Sequence, residues 1–579
     1  MVSTRSFLIA SMSRRLASFH AMRQSLPLLL LAAAAQALAL AWPWAREGGW
    51  LSLPGGYGRP LWWLQIASLA LLARSLQAAQ GPAQAAARAW VFATAWLAAA
   101  FWWLFVSMHV YGGLAAPLAA LAVLALAFFL GGYYALAAWV WARVRPLGTA
   151  AAALAFAAAW TLAELARACL WTGFPWGAGG YAHVEGPLAV LPRWVGVYGT
   201  GAVAAWLAYW LAYGLRGVCQ VRAACPRTIR KLALWSTAAC LAWALLWWLR
   251  ASAVEHGGVE HSGVEHSGVA RPTLHVALLQ GNIAQDEKFQ SGSGVPLALH
   301  WYGRTLLQAA QAPAQGLPRL VVAPETAIPL LPQHLPAEFR ATWQRLHGAY
   351  TQPGGTQAAL IGLPLGAPQQ GYSNSVLGWQ PVSGPQARDY RYDKRHLVPF
   401  GEFVPPLFRW FVALLDIPLG DFARGAARQA PMLWAGEALA PNICYEDLFG
   451  EELAAAFADA ARAPTVLVNV SNIAWFGNTV ALDQHLAIGR MRALELERPM
   501  LRATNTGATA IIDHRGVVVQ ALPAAVRAVL HGSVQGRGHG GSHVTPFAYW
   551  AARTGLLPLW LACAAVLALC GWYRRGKPS

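Results

Sequence analysis

Ala440-Pro441-Asn442-Ile443-Cys444-Tyr445-Glu446 is a short apolar run that ends on a thiol. Similar runs recur from residue 273 onward, at Leu274 to Leu279, Leu320 to Ala323, Ala358 to Gly362, Ser375 to Trp379, Thr465 to Val470, Leu501 to Thr504 and Ala510 to Asp513. Stretches with helical spacing separate them near 296–311, 337–349, 450–461 and 481–495. Short buried strands alternating with helices predict a layered α/β domain. About 260 residues are enough for one such core.

The chain that carries this domain is too apolar for a soluble protein of 579 residues, at 57% hydrophobic with 30 tryptophans. Runs long enough to cross a bilayer, about 20 residues each, fall near 26–44, 58–77, 89–108, 115–141, 148–170, 194–215, 231–249 and 553–572. The first follows Arg14, Arg15 and Arg23 as a signal peptide would, but six more come directly after it, so it reads as a retained helix. Eight transmembrane helices are therefore expected.

A net charge of +18 would suggest nucleic acid in a soluble protein. Here the basic residues mark topology instead. Arg5, Arg14, Arg15 and Arg23 stand before the first span and Arg574, Arg575 and Lys577 after the last. Arg74 and Arg88, Arg143 and Arg145, and the group Arg216, Arg222, Arg227, Arg230 and Lys231 fill every second loop, with no acid in any of these segments. The positive-inside rule then puts both termini in the cytoplasm and the long 250–550 stretch outside. No nucleic-acid partner is expected. The predicted organisation is a transmembrane domain at 1–250, a linker at 251–272, the α/β domain at 273–540, and a last helix with a cytoplasmic tail at 541–579. The linker repeats Val-Glu-His-Gly/Ser-Gly three times; its His256, His261 and His266 lie in a low-complexity spacer without the fixed geometry that a metal site needs.

Of seven cysteines, only Cys444 falls in the outer domain. A lone thiol in an oxidising compartment is either a small core residue or a working group. Two other ionisable residues also follow buried strands: Glu325 after Leu320-Val-Val-Ala-Pro, and Lys394 within Tyr392-Asp-Lys-Arg-His-Leu-Val-Pro-Phe-Gly-Glu-Phe-Val-Pro405. Strand ends converge on one crevice in layered α/β domains. A carboxylate, an ammonium and a thiol make a complete set for acyl transfer: a base for the thiol, an electrostatic support for thiolate and oxyanion, and a nucleophile. Spacing alone leaves a partly exposed ion pair of Glu325 and Lys394 and a core Cys444 open.

Pro324-Glu-Thr-Ala-Ile-Pro, His396-Leu-Val-Pro-Phe-Gly-Glu-Phe-Val-Pro, Asn442-Ile-Cys-Tyr-Glu and Ser471-Asn-Ile-Ala-Trp-Phe-Gly resemble the nitrilase superfamily and, within it, the apolipoprotein N-acyltransferases. The resemblance extends to Leu278-Leu-Gln-Gly-Asn-Ile, to Gln484-His-Leu-Ala-Ile-Gly-Arg-Met-Arg-Ala-Leu-Glu, to Arg498-Pro-Met-Leu-Arg-Ala-Thr-Asn-Thr-Gly and, in the membrane part, to Glu164, Arg167 and Thr172-Gly-Phe-Pro-Trp. It implies a nitrilase-like α-β-β-α sandwich, with Glu325 as general base, Lys394 as oxyanion and thiolate stabiliser, and Cys444 as nucleophile. The implied donor is a membrane phospholipid and the acceptor a diacylglyceryl apolipoprotein, with no cofactor and no metal. The implied setting is the bacterial inner membrane, with the catalytic domain in the periplasm.

Supporting roles follow for Glu402, Tyr445 and Glu446, and substrate contacts for Trp475, Phe476 and Phe289. The apolar stretch Val404 to Leu415 is too short to span and is expected to dip into the bilayer as a lid. Departures from the family's pattern are Ile473 in place of an aspartate, Ala323 in place of an aromatic residue and Phe289 in place of a tryptophan. Glu164 and Arg167 either pair with each other or approach a headgroup. A membrane-tethered amidase with the same triad, and a lipid-binding protein or transporter with a structural Cys444, are the competing expectations.

Overall fold

The computed structural model describes residues 25–43, 56–146, 148–220, 273–312, 317–369, 371–381, 388–405 and 421–575. The expected span at 231–249, the repeat linker and nearly all of the expected lid lie outside the described residues.

The N-terminal part is helical: α1 Ser25–Leu38, α2 Trp62–Gln77, α3 Pro82–Ala100, α4 Ala116–Val144, α5 Thr149–Cys169 and α6 Pro192–Gln220. Pro82 opens α3 at a position where its missing N–H has no helical partner to lose. The 89–108 stretch, expected as one span, ends its α-helix at Ala100 and continues through a π-helical turn, Val106–Tyr111. Between them Trp103 is fully buried and donates its indole N–H to Gln484 Oε1 at 3.1 Å, in the α/β domain.

Among the described residues four helical stretches are long and apolar enough to cross a membrane: Ala116–Val144, Thr149–Thr172, Pro192–Leu215 and Leu557–Arg574. The first turns Leu118, Leu121, Leu124, Phe128 and Leu136 outward. A continuous apolar exterior of this kind suits lipid and not water.

The α/β part runs β1 Leu274–Gln280, α7 Gly294–Gln311, β2 Arg319–Ala323, α8 Ala337–Thr351, β3 Gln357–Ala367, β4 Gly371–Trp379, β5 Tyr390–Asp393, β6 Met432–Trp434, β7 Glu437–Ile443, α9 Gly450–Ala454, β8 Val466–Ser471, α10 Ala481–Leu496, β9 Met500–Thr504, β10 Ala510–Ile512, β11 Val518–Ala521 and β12 Ala528–Val534. Two helices close the chain, α11 Pro546–Thr554 and α12 Leu557–Arg575.

The strands form two six-stranded sheets, ordered β12-β1-β2-β3-β4-β5 and β11-β10-β9-β8-β7-β6. In each sheet three neighbouring strands are parallel, β1, β2 and β3 in one and β7, β8 and β9 in the other, and the flanking pairs are antiparallel. Alternation along each strand sorts the side chains. Leu274, Val276, Leu278, Leu320 and Val322 meet Leu439, Ile443, Val466, Val468 and Leu501 between the sheets. Ala277, Leu279, Val321 and Ala323 instead face α7 and α8. The expected 450–461 helix is α-helical only to Ala454 and tightens into a 3-10 turn at Ala455–Phe457; Asp459 then turns its carboxylate onto the Ala461 N–H at 3.1 Å and starts a separate turn.

The outer face of the second sheet carries α10, and α10 in turn packs on the helical part. Ala481, Ile488 and Met491 share one apolar cluster with α2 to α5. Gln484 Oε1 accepts the indole N–H groups of Trp103 and of Trp176 (2.8 Å) together. Gly196 breaks α6 with a φ of 66° where a Cβ would lie 2.5 Å from Phe547. The Val197 N–H beside the break donates to Glu495 Oε1 at 2.7 Å, and Arg492 approaches the same oxygen at 3.2 Å. Glu495→Ala leaves a buried guanidinium and a buried N–H without their acceptor. It is expected to cost roughly 3 kcal/mol, read as a lower Tm of the detergent-solubilised protein. Arg462→Ala, at an exposed ion pair, should shift Tm far less.

Candidate active site

Glu325, Lys394 and Cys444 come together, from three strand ends of two sheets. Glu325 follows β2 by two residues, Lys394 follows β5 directly and Cys444 follows β7 directly. The Lys394 ammonium is 1% exposed and lies 3.2 Å from Glu325 Oε1 and 2.9 Å from Glu402 Oε1. Asn374, in β4, donates its amide to the same two oxygens at 2.7 Å each. Glu325 Oε2 accepts the Asn472 N–H at 2.7 Å, and Glu402 Oε2 accepts the Val398 N–H at 2.8 Å.

The electrostatics follow from that geometry. Burial alone would raise the Glu325 pKa, but Lys394, Asn374, the Asn472 N–H and Lys288 outweigh it and hold the carboxyl below its ordinary range. Burial likewise works against a charged Lys394, yet Glu325 and Glu402 more than offset it and its pKa rises. The Cys444 thiol is partly exposed. It is pushed up, by burial first, then by the charge of Glu325, which also takes a hydrogen bond from it, and by Glu402; Lys394 opposes them. The resting pair is thus a thiol beside a carboxylate, ready to move one proton between them.

Cys444 itself sits in the left-handed region, at φ 52°. That strained conformation is maintained from four sides. Its carbonyl accepts from His485 Nε2 at 3.2 Å, while His485 Nδ1 accepts from Arg502 at 2.7 Å. Burial and the Arg502 guanidinium hold the imidazole neutral, with its pKa well below the usual value. Glu446 accepts the Ile443 N–H at 2.7 Å and the Tyr392 hydroxyl at 2.9 Å on one oxygen, and the Arg395 and His396 N–H groups on the other. Burial raises its pKa to about 7. Asp447 pairs with Arg502, both fully buried. Tyr445 donates to the Gly173 carbonyl at 2.9 Å, outside the α/β domain.

The other expected residues divide. Phe476 packs 4.3 Å from Trp103 and Trp475 lies edge-on 6.3 Å from Tyr111, so both line the junction with the helical part. Phe289 is 42% exposed, next in the chain to the buried Lys288. Ile473 is buried in the apolar cluster shared with the N-terminal helices, and Ala323 in the layer under α7 and α8. Glu164 and Arg167 do not pair with each other. Glu164 accepts the Gly179 N–H at 2.8 Å, and Arg167 donates to the Phe174 carbonyl at 2.8 Å, to the Trp176 carbonyl at 2.5 Å and to the Tyr134 hydroxyl at 3.2 Å.

Four participants escaped the sequence reading: Asn374, Lys288, His485 and the Asn472 N–H. His485 stands within Gln484-His-Leu-Ala-Ile-Gly-Arg, and Lys288 stands beside Phe289.

Residues 275–537 match the carbon-nitrogen hydrolase family, which agrees with the two-sheet sandwich and its convergent strand ends. Residues 48–210 match the apolipoprotein N-acyltransferase N-terminal domain. An apolipoprotein N-acyltransferase of Verminephrobacter eiseniae is 56% identical over 538 residues, 92% of this chain and 93% of that protein. Those of Ralstonia nicotianae and Bordetella bronchiseptica are 44% and 41% identical, covering 89% and 88% of this chain and 90% and 93% of their own lengths. The chain belongs to the apolipoprotein N-acyltransferase family.

Removing the Asn374 amide deprives the ionised form of Glu325 of a buried hydrogen bond and so raises its pKa. Glu325 is a carboxylate only above that pKa. In Asn374→Ala the acid limb of the pH–rate profile should move upward by about one pH unit. An unmoved limb would separate Asn374 from the ionisation of Glu325.

Proposed function

We propose that this protein transfers a fatty acyl chain from a membrane phospholipid to the α-amino group of an S-diacylglyceryl-cysteine at the N-terminus of an apolipoprotein. The observation that carries the reading is the buried Glu325–Lys394 pair beside the Cys444 thiol, in an α/β domain packed onto apolar helices that relatives named for this activity share. In the first half-reaction Glu325 takes the thiol proton as Cys444 Sγ attacks the donor ester, and hands it to the departing lysophospholipid oxygen. Lys394 and backbone N–H groups near Cys444 steady the oxyanion. A thioester results. In the second half-reaction the acceptor nitrogen attacks that thioester, and its proton passes through Glu325 to the leaving sulfur, giving the amide and the free thiol. The kinetics are ping-pong.

Glu402 holds Lys394 in place, and Tyr445 and Glu446 hold the turn that carries Cys444. Trp475, Phe476 and Phe289 contact lipid or peptide. Both substrates are lipid-anchored, so a site at the membrane surface supplies proximity. That favours a protein of the bacterial inner membrane with eight transmembrane helices, a periplasmic α/β domain at 273–540 reached through a 251–272 linker, a transmembrane domain at 1–250, a closing helix and tail at 541–579, and both termini in the cytoplasm. A membrane-tethered amidase would use water as acceptor and has no use for so large a helical part.

Membranes containing the protein, incubated with labelled phospholipid and no acceptor, should yield a hydroxylamine-labile acyl adduct on Cys444 by mass spectrometry. Cys444→Ser should yield none. Glu325→Gln and Lys394→Ala should lower transfer to a diacylglyceryl peptide by at least about 100-fold. A wild-type protein that transfers acyl chains with Cys444 unmodified throughout would overturn the mechanism.

A further inference from the structure

The site contains a second buried lysine. Lys288 is 1% exposed, on the loop after β1. That loop is fixed by an amide network: Asn505 exchanges hydrogen bonds with the Ile283 N–H and carbonyl and donates to Asn472, which in turn donates to Gln285. Helix α7 starts against it, where a Cβ on Gly294 would lie 2.0 Å from the Glu287 carbonyl.

Lys288 Nζ has one hydrogen-bond partner among the described residues, the neutral carbonyl of Glu325 at 3.2 Å. Lys394 has two carboxylates within 3.2 Å; Lys288 has none within 4.0 Å among the described residues. The charge acting on it is Glu325, from the end of β2; the neighbouring Cys444, at the end of β7, is a neutral thiol, and Asp286 and Glu287 on its own loop are exposed. Burial dominates and brings its pKa down to about 7, so the amine is substantially neutral where Lys394 is permanently charged.

The second half-reaction needs a group of this kind. An α-amino group has a pKa of about 7.7–8.0 and arrives largely protonated at neutral pH. Its nitrogen must lose one proton before it can attack and a second as the amide forms. Glu325, held below the ordinary carboxylate range, is a poor acceptor for the first. Resting on the acyl-transfer reading above, we propose that Lys288 is a catalytic base dedicated to the acceptor: its amine takes one proton from the incoming α-ammonium and later releases it to water. The freed amine then forms the C–N bond as the C–S bond breaks, with the remaining proton passing through Glu325 to Cys444 Sγ.

The test separates the half-reactions in the full-length protein. Acyl-enzyme is formed from phospholipid without acceptor, then a diacylglyceryl peptide is added and single turnovers are followed between pH 6 and 9.5. Lys288→Met and Lys288→Gln should slow transfer at pH 7 by about 6- to 11-fold, the ratio of total to free amine at that pKa, beyond any loss in acyl-enzyme formation. The defect should shrink toward pH 9, where the peptide amine is free without help. Lys288→Arg, which cannot accept a proton, should not rescue. Equal losses in both half-reactions at every pH, or rescue by arginine, would make Lys288 a structural cation and overturn the assignment. A wild-type protein that forms no acyl-enzyme would remove the acyl-transfer reading itself, and this proposal with it.

Discussion

A buried ammonium between two buried carboxylates governs the α/β domain. Stripping Lys394, Glu325 and Glu402 of water costs several kcal/mol for each ion, and only close partners offset it. The chain supplies them from widely separated places. Asn374 bridges both carboxylates from β4, the Asn472 N–H reaches Glu325 from the end of β8, and the Val398 N–H completes Glu402. Glu325 and Lys394 belong to one sheet and Asn472 to the other. The charges are therefore satisfied only when both sheets meet in a single register, so the sandwich core and the polar cluster enforce the same packing.

The turn at Cys444 follows the same logic. A thiol surrounded by two carboxylates and a shielded ammonium stays protonated, so its reactivity depends on a proton acceptor within reach and not on a standing thiolate. Position then matters more than basicity. Glu446 is the residue that fixes position: its two oxygens gather N–H groups from both the strand leading into Cys444 and the segment leaving Lys394. It touches neither reacting group, yet it holds the two segments carrying them at a constant separation.

Much of this was legible because strands buried on both faces leave few places for polar residues. Glu325 and Cys444 stand where apolar runs stop, and a run that stops on an ionisable group invites a functional reading; Lys394 instead ends the polar, partly exposed strand Tyr390–Asp393 and was found through its motif. Asn374 was not legible for the opposite reason. It lies inside a strand flanked by Ser373 and Ser375, where alternation alone suggests a solvated edge. Lys288 was hidden by its loop, since nothing local distinguishes a lysine folded under the site from one in water; its burial is set by Asn505 and Asn472, more than 180 residues away. The helix boundaries drifted where the helical part serves the α/β domain, as at Trp103, whose indole binds Gln484 of that domain.

The union of the two parts is made beside the reacting groups. After α5 the chain takes three consecutive positive-φ residues, Trp171, Thr172 and Gly173. At Gly173 a Cβ would fall 1.9 Å from the Ala168 carbonyl, so only glycine fits. Arg167 holds the far side of the turn by the carbonyls of Phe174 and Trp176. The carbonyls left facing outward are taken by the α/β domain: Gly173 by the Tyr445 hydroxyl at 2.9 Å, and Thr172 by His396 Nε2 at 2.9 Å. Tyr445 follows Cys444 by one residue and His396 follows Lys394 by two. A rigid turn at the end of an apolar helix thus grips both the thiol's turn and the ammonium's segment, and any tilt of the domain on its helices would have to pull on the reacting groups. The depth of the site relative to those helices is consequently set by short hydrogen bonds rather than by the length of a tether.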